Sequence, residues 1–135
     1  MPVIRALLLL CACLGLAACG APAEAPDDGV ESHMAGTERG EFAVELTAPA
    51  GGFQRGVNVF WVRARDAGGR AVDLRSVRAR MPAHAHGDTA ATAVQEGDRW
   101  RVEGLVLDMP GRWEVTLRFC LDAREDASLL FLRIP

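Results

Sequence analysis

The chain has 135 residues, half of them hydrophobic, and its 15 basic and 18 acidic side chains leave a net charge of −3. That length bounds the protein to a single folded domain. The acidic balance, with no basic stripe interleaved with aromatics, argues against nucleic-acid binding. Every basic residue is Arg and there is no Tyr, a composition that points to GC-rich coding rather than to a function.

Residues 1–18 hold one basic side chain, Arg5, then an apolar run over 6–16 and small residues at the end. This is the layout of a secretory signal peptide, and the run is too short to span a bilayer. Leu16-Ala17-Ala18-Cys19 resembles a lipobox, which puts acyl chains on Cys19 and cleavage just before it. More than one acyl chain anchors a protein stably, where a single chain binds only marginally. Gly20 stands where an Asp would retain the protein at the inner membrane. The expected address is therefore the cell envelope, facing the periplasm, and in a Gram-negative host the outer membrane. Cys11 and Cys13 leave with the signal and Cys19 carries lipid, so Cys120 alone remains in the folded part and no internal disulfide is expected.

Residues 19–40 read as a flexible linker. Ala21-Pro22-Ala23-Glu24-Ala25-Pro26-Asp27-Asp28-Gly29 has no apolar period and is rich in small residues and Pro. His33-Met34 is a soft ligand pair on this arm, or simply solvated.

From residue 41 to 135 the pattern is strand after strand. Phe42, Val44 and Leu46 alternate with small or polar neighbours, and 57–62 is β-branched and aromatic. Asp66-Ala67-Gly68-Gly69-Arg70 is a hairpin turn leading into 72–81, with Val77, Ala79 and Met81 on one face. A short strand near 91–94 turns at Glu96-Gly97-Asp98 into 100–107. Over 113–121, Trp113, Val115, Leu117, Phe119 and Leu121 share a face, which leaves Cys120 on the opposite one, where simple packing is expected. Residues 129–134 close the domain. About seven strands with no helical period make the expected fold all-β, an antiparallel immunoglobulin-like β-sandwich. Trp61, Trp100 and Trp113 read as core aromatics. The run Arg63, Arg65, Arg75, Arg78 and Arg80 reads as the solvated face of paired strands, and Asp122, Glu125 and Asp126 as solvated acids.

Two of the three histidines fall in Met81-Pro82-Ala83-His84-Ala85-His86-Gly87. In extended backbone, residues i and i+2 point the same way, so His84 and His86 can converge on one ion. Thioether selects Cu(I) and imidazole suits copper generally, whereas Zn(II) sites favour His, Cys and carboxylate. Strand order brings in a fourth candidate. If the 72–81 strand runs upward, its exit loop lies at the top, and so does the exit of the 100–107 strand, Asp108-Met109-Pro110-Gly111. The candidate metal ligands are then Met81, His84, His86 and Met109. The competing reading is a polar loop with water-facing histidines, the two Met side chains filling gaps at the sandwich end.

The stretch 40–46, the Asp66-Ala67-Gly68-Gly69 turn, Met81-Pro82-Ala83-His84-Ala85-His86-Gly87 and Leu107-Asp108-Met109-Pro110-Gly111-Arg112-Trp113 together resemble the YtkA-like domain family, related to FixH-like proteins. The similarity runs from Gly40 to Pro135. It implies a small extracytoplasmic immunoglobulin-like domain, often lipid-anchored and linked to copper. Met81, His84, His86 and Met109 occupy the shared motif positions, while Pro82, Pro110, Gly111 and Trp113 shape the turns.

No GxSxG, HExxH or CxxC motif and no glycine-rich phosphate loop is present, and Cys120 has no evident partner base, so an enzyme is not expected. The expected function is a lipoprotein that binds or handles Cu(I), held to the membrane by lipid on Cys19, with an envelope protein in copper or redox metabolism as its candidate partner. The alternative is a metal-free interaction module whose Met-Pro loops shape a docking edge.

Overall fold

The strongest alternation in the chain becomes strand β7 (Gly111–Leu121), in which Trp113, Val115, Leu117 and Phe119 are buried. The computed structural model describes residues 32–84 and 88–135, and all the regular structure there is β. Before β7 come β1 (Ser32–Gly36), β2 (Ala43–Thr47), β3 (Gly56–Arg65), β4 (Asp73–Arg80), β5 (Thr89–Glu96) and β6 (Arg99–Leu107), and β8 (Arg124–Ile134) follows it. Every pairing is antiparallel, in the order β1-β2-β3-β6-β5-β4-β7-β8.

The break between two packed sheets falls within β5. Thr89 to Ala91 pair with β4, whereas Thr92 to Glu96 pair with β6. A strand that changes sheets in this way turns the corner of a sandwich. Sheet one is β1-β2-β3-β6 with the end of β5, and sheet two is the start of β5 with β4-β7-β8. Less β1, this is the strand arrangement of a constant-type immunoglobulin domain. Phe60, Val62, Val102, Leu105 and Leu107 from sheet one meet Val77, Trp113, Leu117, Phe119 and Ile134 from sheet two. Among the described residues, every strand is paired with at least one other strand of the sandwich.

Alternation alone would put Val102 and Leu105 on opposite faces. Both are buried because the β3–β6 register shifts between Asn58 and Phe60, and the extra residue on β6 is absorbed at Gly104, φ +73°. A bulge with a left-handed residue is where glycine is favoured.

The strand count and two boundaries differ from expectation. The described residues form eight strands rather than about seven, and the additional one, β1, comes from the segment read as linker. Ser32-His33-Met34-Ala35-Gly36 pairs with β2 throughout, so the linker reading fails over 32–36, and His33 and Met34 sit on a sheet edge rather than a loose arm. Strand β8 begins five residues before the expected 129. The signal peptide, Cys19 and the rest of the linker lie outside the described residues.

Asp126 is the clearest correction, because it is buried rather than solvated. It points inward from β8 and its carboxylate accepts the main-chain N–H groups of Arg39 (3.1 Å) and Glu41 (3.2 Å). Glu38 N–H adds a bond to Ala127 C=O at 2.7 Å, and the Ser128 hydroxyl donates to Gly36 C=O at 3.2 Å. The β1–β2 turn is thus pinned to β8 and closes one side of the sandwich. Burial by itself would raise the carboxyl's pKa. The Thr37 hydroxyl and the N–H groups of Ala127, Glu41 and Arg39 outweigh that and hold it at about 2, down from 3.8. With the folded pKa depressed, this contribution is fully present above about pH 4 and fades as the pH falls toward 2. Asp66 behaves alike at about 2, held down by the Arg70 N–H first, against desolvation, with help from the Arg124 and Arg70 side chains. Asp126→Asn is expected to lower the thermal midpoint at neutral pH and to flatten, without abolishing, its decline between pH 4 and 2. Thermal unfolding followed by circular dichroism across that range checks it.

A candidate metal-binding end of the sandwich

Strands β4 and β6 both run toward the end of the sandwich where β7 begins. Arg80, the last residue of β4, pairs with Glu114, and their side chains form an ion pair of 2.6 Å. Leu107, the last of β6, pairs with Gly56 at the start of β3. The two Met-Pro turns that follow β4 and β6 therefore share one end, as the sequence predicts.

They also touch. Met81 is 5% exposed, within the main core cluster, and its terminal methyl presses on Gly111 so closely that a Cβ there would lie 2.5 Å from it. Gly111 has φ +126°, which a side chain rarely adopts, so backbone and contact both demand glycine. Met109 is half-buried and packs against the same core. Its carbonyl accepts the Trp113 indole N–H at 2.9 Å, from a ring that is itself completely buried. The Arg55 guanidinium reaches from the β2–β3 loop to Asp108 C=O at 2.7 Å. The second Met-Pro turn is thus held by one bond from the core and one from the surface.

His84 N–H donates to Met81 C=O at 3.0 Å, closing a turn over Pro82 and Ala83, and the His84 side chain is exposed. His86 lies outside the described residues. The structure so brings the Met81 side chain against Gly111, two residues from Met109, and sets His84 three residues from Met81. It does not bring His33 or Met34 there, since they pair with Leu46 and Glu45 nearer the opposite end. Among the described residues no group of three or more His, Cys, Asp and Glu could hold an ion. Sequence reasoning missed Arg55, a loop residue whose role depends on a contact 53 positions away and leaves no local pattern.

The remaining candidates resolve as structure. Arg63 bridges Glu45 and Asp98, Arg65 joins Asp98, and Arg78 approaches Asp88 at 3.8 Å, so the basic run is a set of surface ion pairs. Trp113 is buried as expected, while Trp61 and Trp100 are only half-covered, each with its indole N–H bonded, to Glu96 and to Val72 C=O. Cys120 is packed away at 8% exposure and donates to Asp122 C=O at 3.4 Å.

An immunoglobulin-like sandwich with two methionine-proline turns abutting at one end is the class of protein defined by this fold and this end. The YtkA-like family model matches residues 33–118, and the chain belongs to that family. No curated protein and no solved structure matches it.

Proposed function

We propose that this is a non-enzymatic, extracytoplasmic copper-handling domain, lipid-anchored through Cys19 in the cell envelope and facing the periplasm. The supporting observation is the contact between the two Met-Pro turns, which puts the Met81 side chain against Gly111, two residues from Met109. Thioether and imidazole are a donor chemistry for Cu(I), and the available groups fit it in kind. Met109 and the two histidines would hold the ion at the rim, with the buried Met81 thioether beneath. Cu(I) is then cargo, passed to an envelope partner in copper or redox metabolism. The outer membrane is the proposed site in a Gram-negative host, because Gly20 follows the lipidated cysteine.

A second reading, a metal-free docking module, is favoured by large apolar side chains left in solvent, Val57 at 70% and Phe131 at 53% exposure. One titration separates the two. The domain 32–135, with His33→Ala and Met34→Ala to silence the edge strand, competes for Cu(I) against a chromogenic chelator. One-to-one binding tighter than micromolar, weakened at least about tenfold by His84→Ala/His86→Ala and by Met109→Ala, is expected, about 1.4 kcal/mol or more. Binding no tighter than micromolar in the intact domain overturns the copper reading. Met81→Ala is a poor probe by itself because that side chain also fills the core.

A further inference from the structure

The second Met-Pro turn is held at both of the peptide groups that flank Met109. Arg55 Nε–H donates to the Asp108 carbonyl at 2.7 Å, and the Trp113 indole N–H donates to the Met109 carbonyl at 2.9 Å. A peptide unit is planar, so a bound carbonyl orients its whole plane. The plane before the Met109 Cα therefore answers to Arg55 and the plane after it to Trp113. Between two set planes φ and ψ of Met109 have little freedom, which gives its Cα–Cβ bond one direction. Pro110 acts the same way, because a residue before proline is biased toward extended backbone.

Trp113 belongs to the core, but Arg55 and Asp108 are both exposed. The main chain around Arg55 is nevertheless tightly set. Gly56 and Leu107 form the last pair of the β3–β6 ladder, so Arg55 and Asp108 face each other one step beyond it. Asn58, only 4% exposed, grips the chain on either side of Arg55. Its Oδ1 accepts Gln54 N–H at 2.9 Å, and its Nδ2 donates to Gln54 C=O at 2.8 Å and to Gly56 C=O at 3.0 Å. Phe53 seats the same loop edge-on against the buried Phe60, with ring centres 5.3 Å apart. A buried amide and an aromatic contact thus fix the base from which the Arg55 side chain reaches Asp108.

We infer that Arg55, held by Asn58, is a positioning residue for Met109, presetting its thioether for the ion at this end of the sandwich. The ion itself rests on the copper reading above, whereas the setting of Met109 belongs to the metal-free protein. A ligand already in place loses little freedom when the ion arrives, and that difference appears as affinity. Arg55 acts through the turn and does not touch the ion.

Three substitutions separate this role from a structural one. Gln places its amide nitrogen as many bonds from the backbone as Arg places Nε, but without charge, and Leu has no donor at all. In the full chain carrying His33→Ala and Met34→Ala, Arg55→Leu is expected to weaken Cu(I) binding about three- to tenfold, the worth of one hydrogen bond. Arg55→Gln should restore most of that loss. The thermal midpoint should stay in place, because the exposed Asp108 carbonyl turns to water instead. With Met109→Ala already present, Arg55→Leu should change the affinity by less than about twofold. Methyl NMR of the metal-free chain with labelled methionine supplies a readout independent of copper. There Arg55→Leu is expected to shift the Met109 methyl signal, identified by its loss in Met109→Ala, and to leave that of Met81 unmoved. A Met109 methyl indifferent to Arg55→Leu overturns the inference. So does an equal loss of affinity with and without the Met109 side chain, or a Gln variant as weak as the Leu one. Cu(I) binding no tighter than micromolar in the unsubstituted chain overturns the copper reading instead, and a shifted Met109 methyl then still upholds the positioning by Arg55.

Discussion

Replacing Trp113 with Ala is expected to lower the stability of the domain by about 3–5 kcal/mol, the usual loss when a fully buried aromatic is truncated. The ring is completely inaccessible, the largest side chain in the core, and sits at the second inward position of β7. Its neighbours come from strands already fixed by their ladders, so they can close only part of the void. Small domains are stable by only about 5–15 kcal/mol, so this one substitution removes a large share. Urea unfolding of the domain 32–135 measures it as a lower midpoint with an unchanged slope. Trp113→Phe divides the effect in two. It keeps most of the packing but removes the indole N–H, leaving Met109 C=O without its 2.9 Å partner. Losing the partner of a part-buried acceptor costs at most about 1–3 kcal/mol, so Trp113→Phe should fall well short of Trp113→Ala. A loss below about 1 kcal/mol for Trp113→Ala would remove the ring from the core.

The same strand shows what could be read from the sequence. Trp113, Val115, Leu117 and Phe119 announce a half-buried strand because each sits on the core side of a regular pleat. Strand β1 has no such signal. Ser32-His33-Met34-Ala35-Gly36 covers no core, Met34 is 73% exposed, and the strand exists through its main-chain pairing with β2, to which side-chain pattern is blind. Asp126 misled for the opposite reason. A carboxylate among Ser128, Leu130, Leu132 and Ile134 on the inward parity of β8 looks like a residue that must escape to water. It stays because the turn at 38–41, distant in sequence, supplies N–H groups that replace that water.

Cys120 combines both lessons. Its parity is outward from the Trp113 face, yet it is buried. The two-residue connection Asp122-Ala123, with Asp122 at φ 54°, folds back and gives the thiol a carbonyl to bond. Asp tolerates that left-handed conformation better than most residues do. At the Met-Pro end, strand direction sufficed to put both turns together, because antiparallel neighbours alternate up and down. Burial of Met81 did not follow from that argument. It depends on Gly111 leaving room, and only the three-dimensional contact reveals it.

Gly111→Ala is therefore expected to be nearly as damaging as the loss of Trp113, for two separable reasons. The backbone there has φ +126°, a region almost confined to glycine, and holding another residue in it costs about 1–3 kcal/mol. The new methyl would also arrive 2.5 Å from the Met81 terminal carbon, and overpacking of this kind adds about 1–3 kcal/mol. Met81→Ala alone should lose about 2–5 kcal/mol through the cavity it leaves. The double variant discriminates. With the Met81 side chain gone, the alanine at 111 has space, so only the backbone strain and the cavity remain. The combined loss should then be smaller than the sum of the single losses by about 1–3 kcal/mol, measured by urea unfolding of all four forms. Strict additivity would mean that Met81 does not bear on Gly111 and that the two turns are only neighbours. A coupling of the expected size would make that glycine the element that seats a thioether beneath the second Met-Pro turn, whichever ligand the end of the sandwich takes.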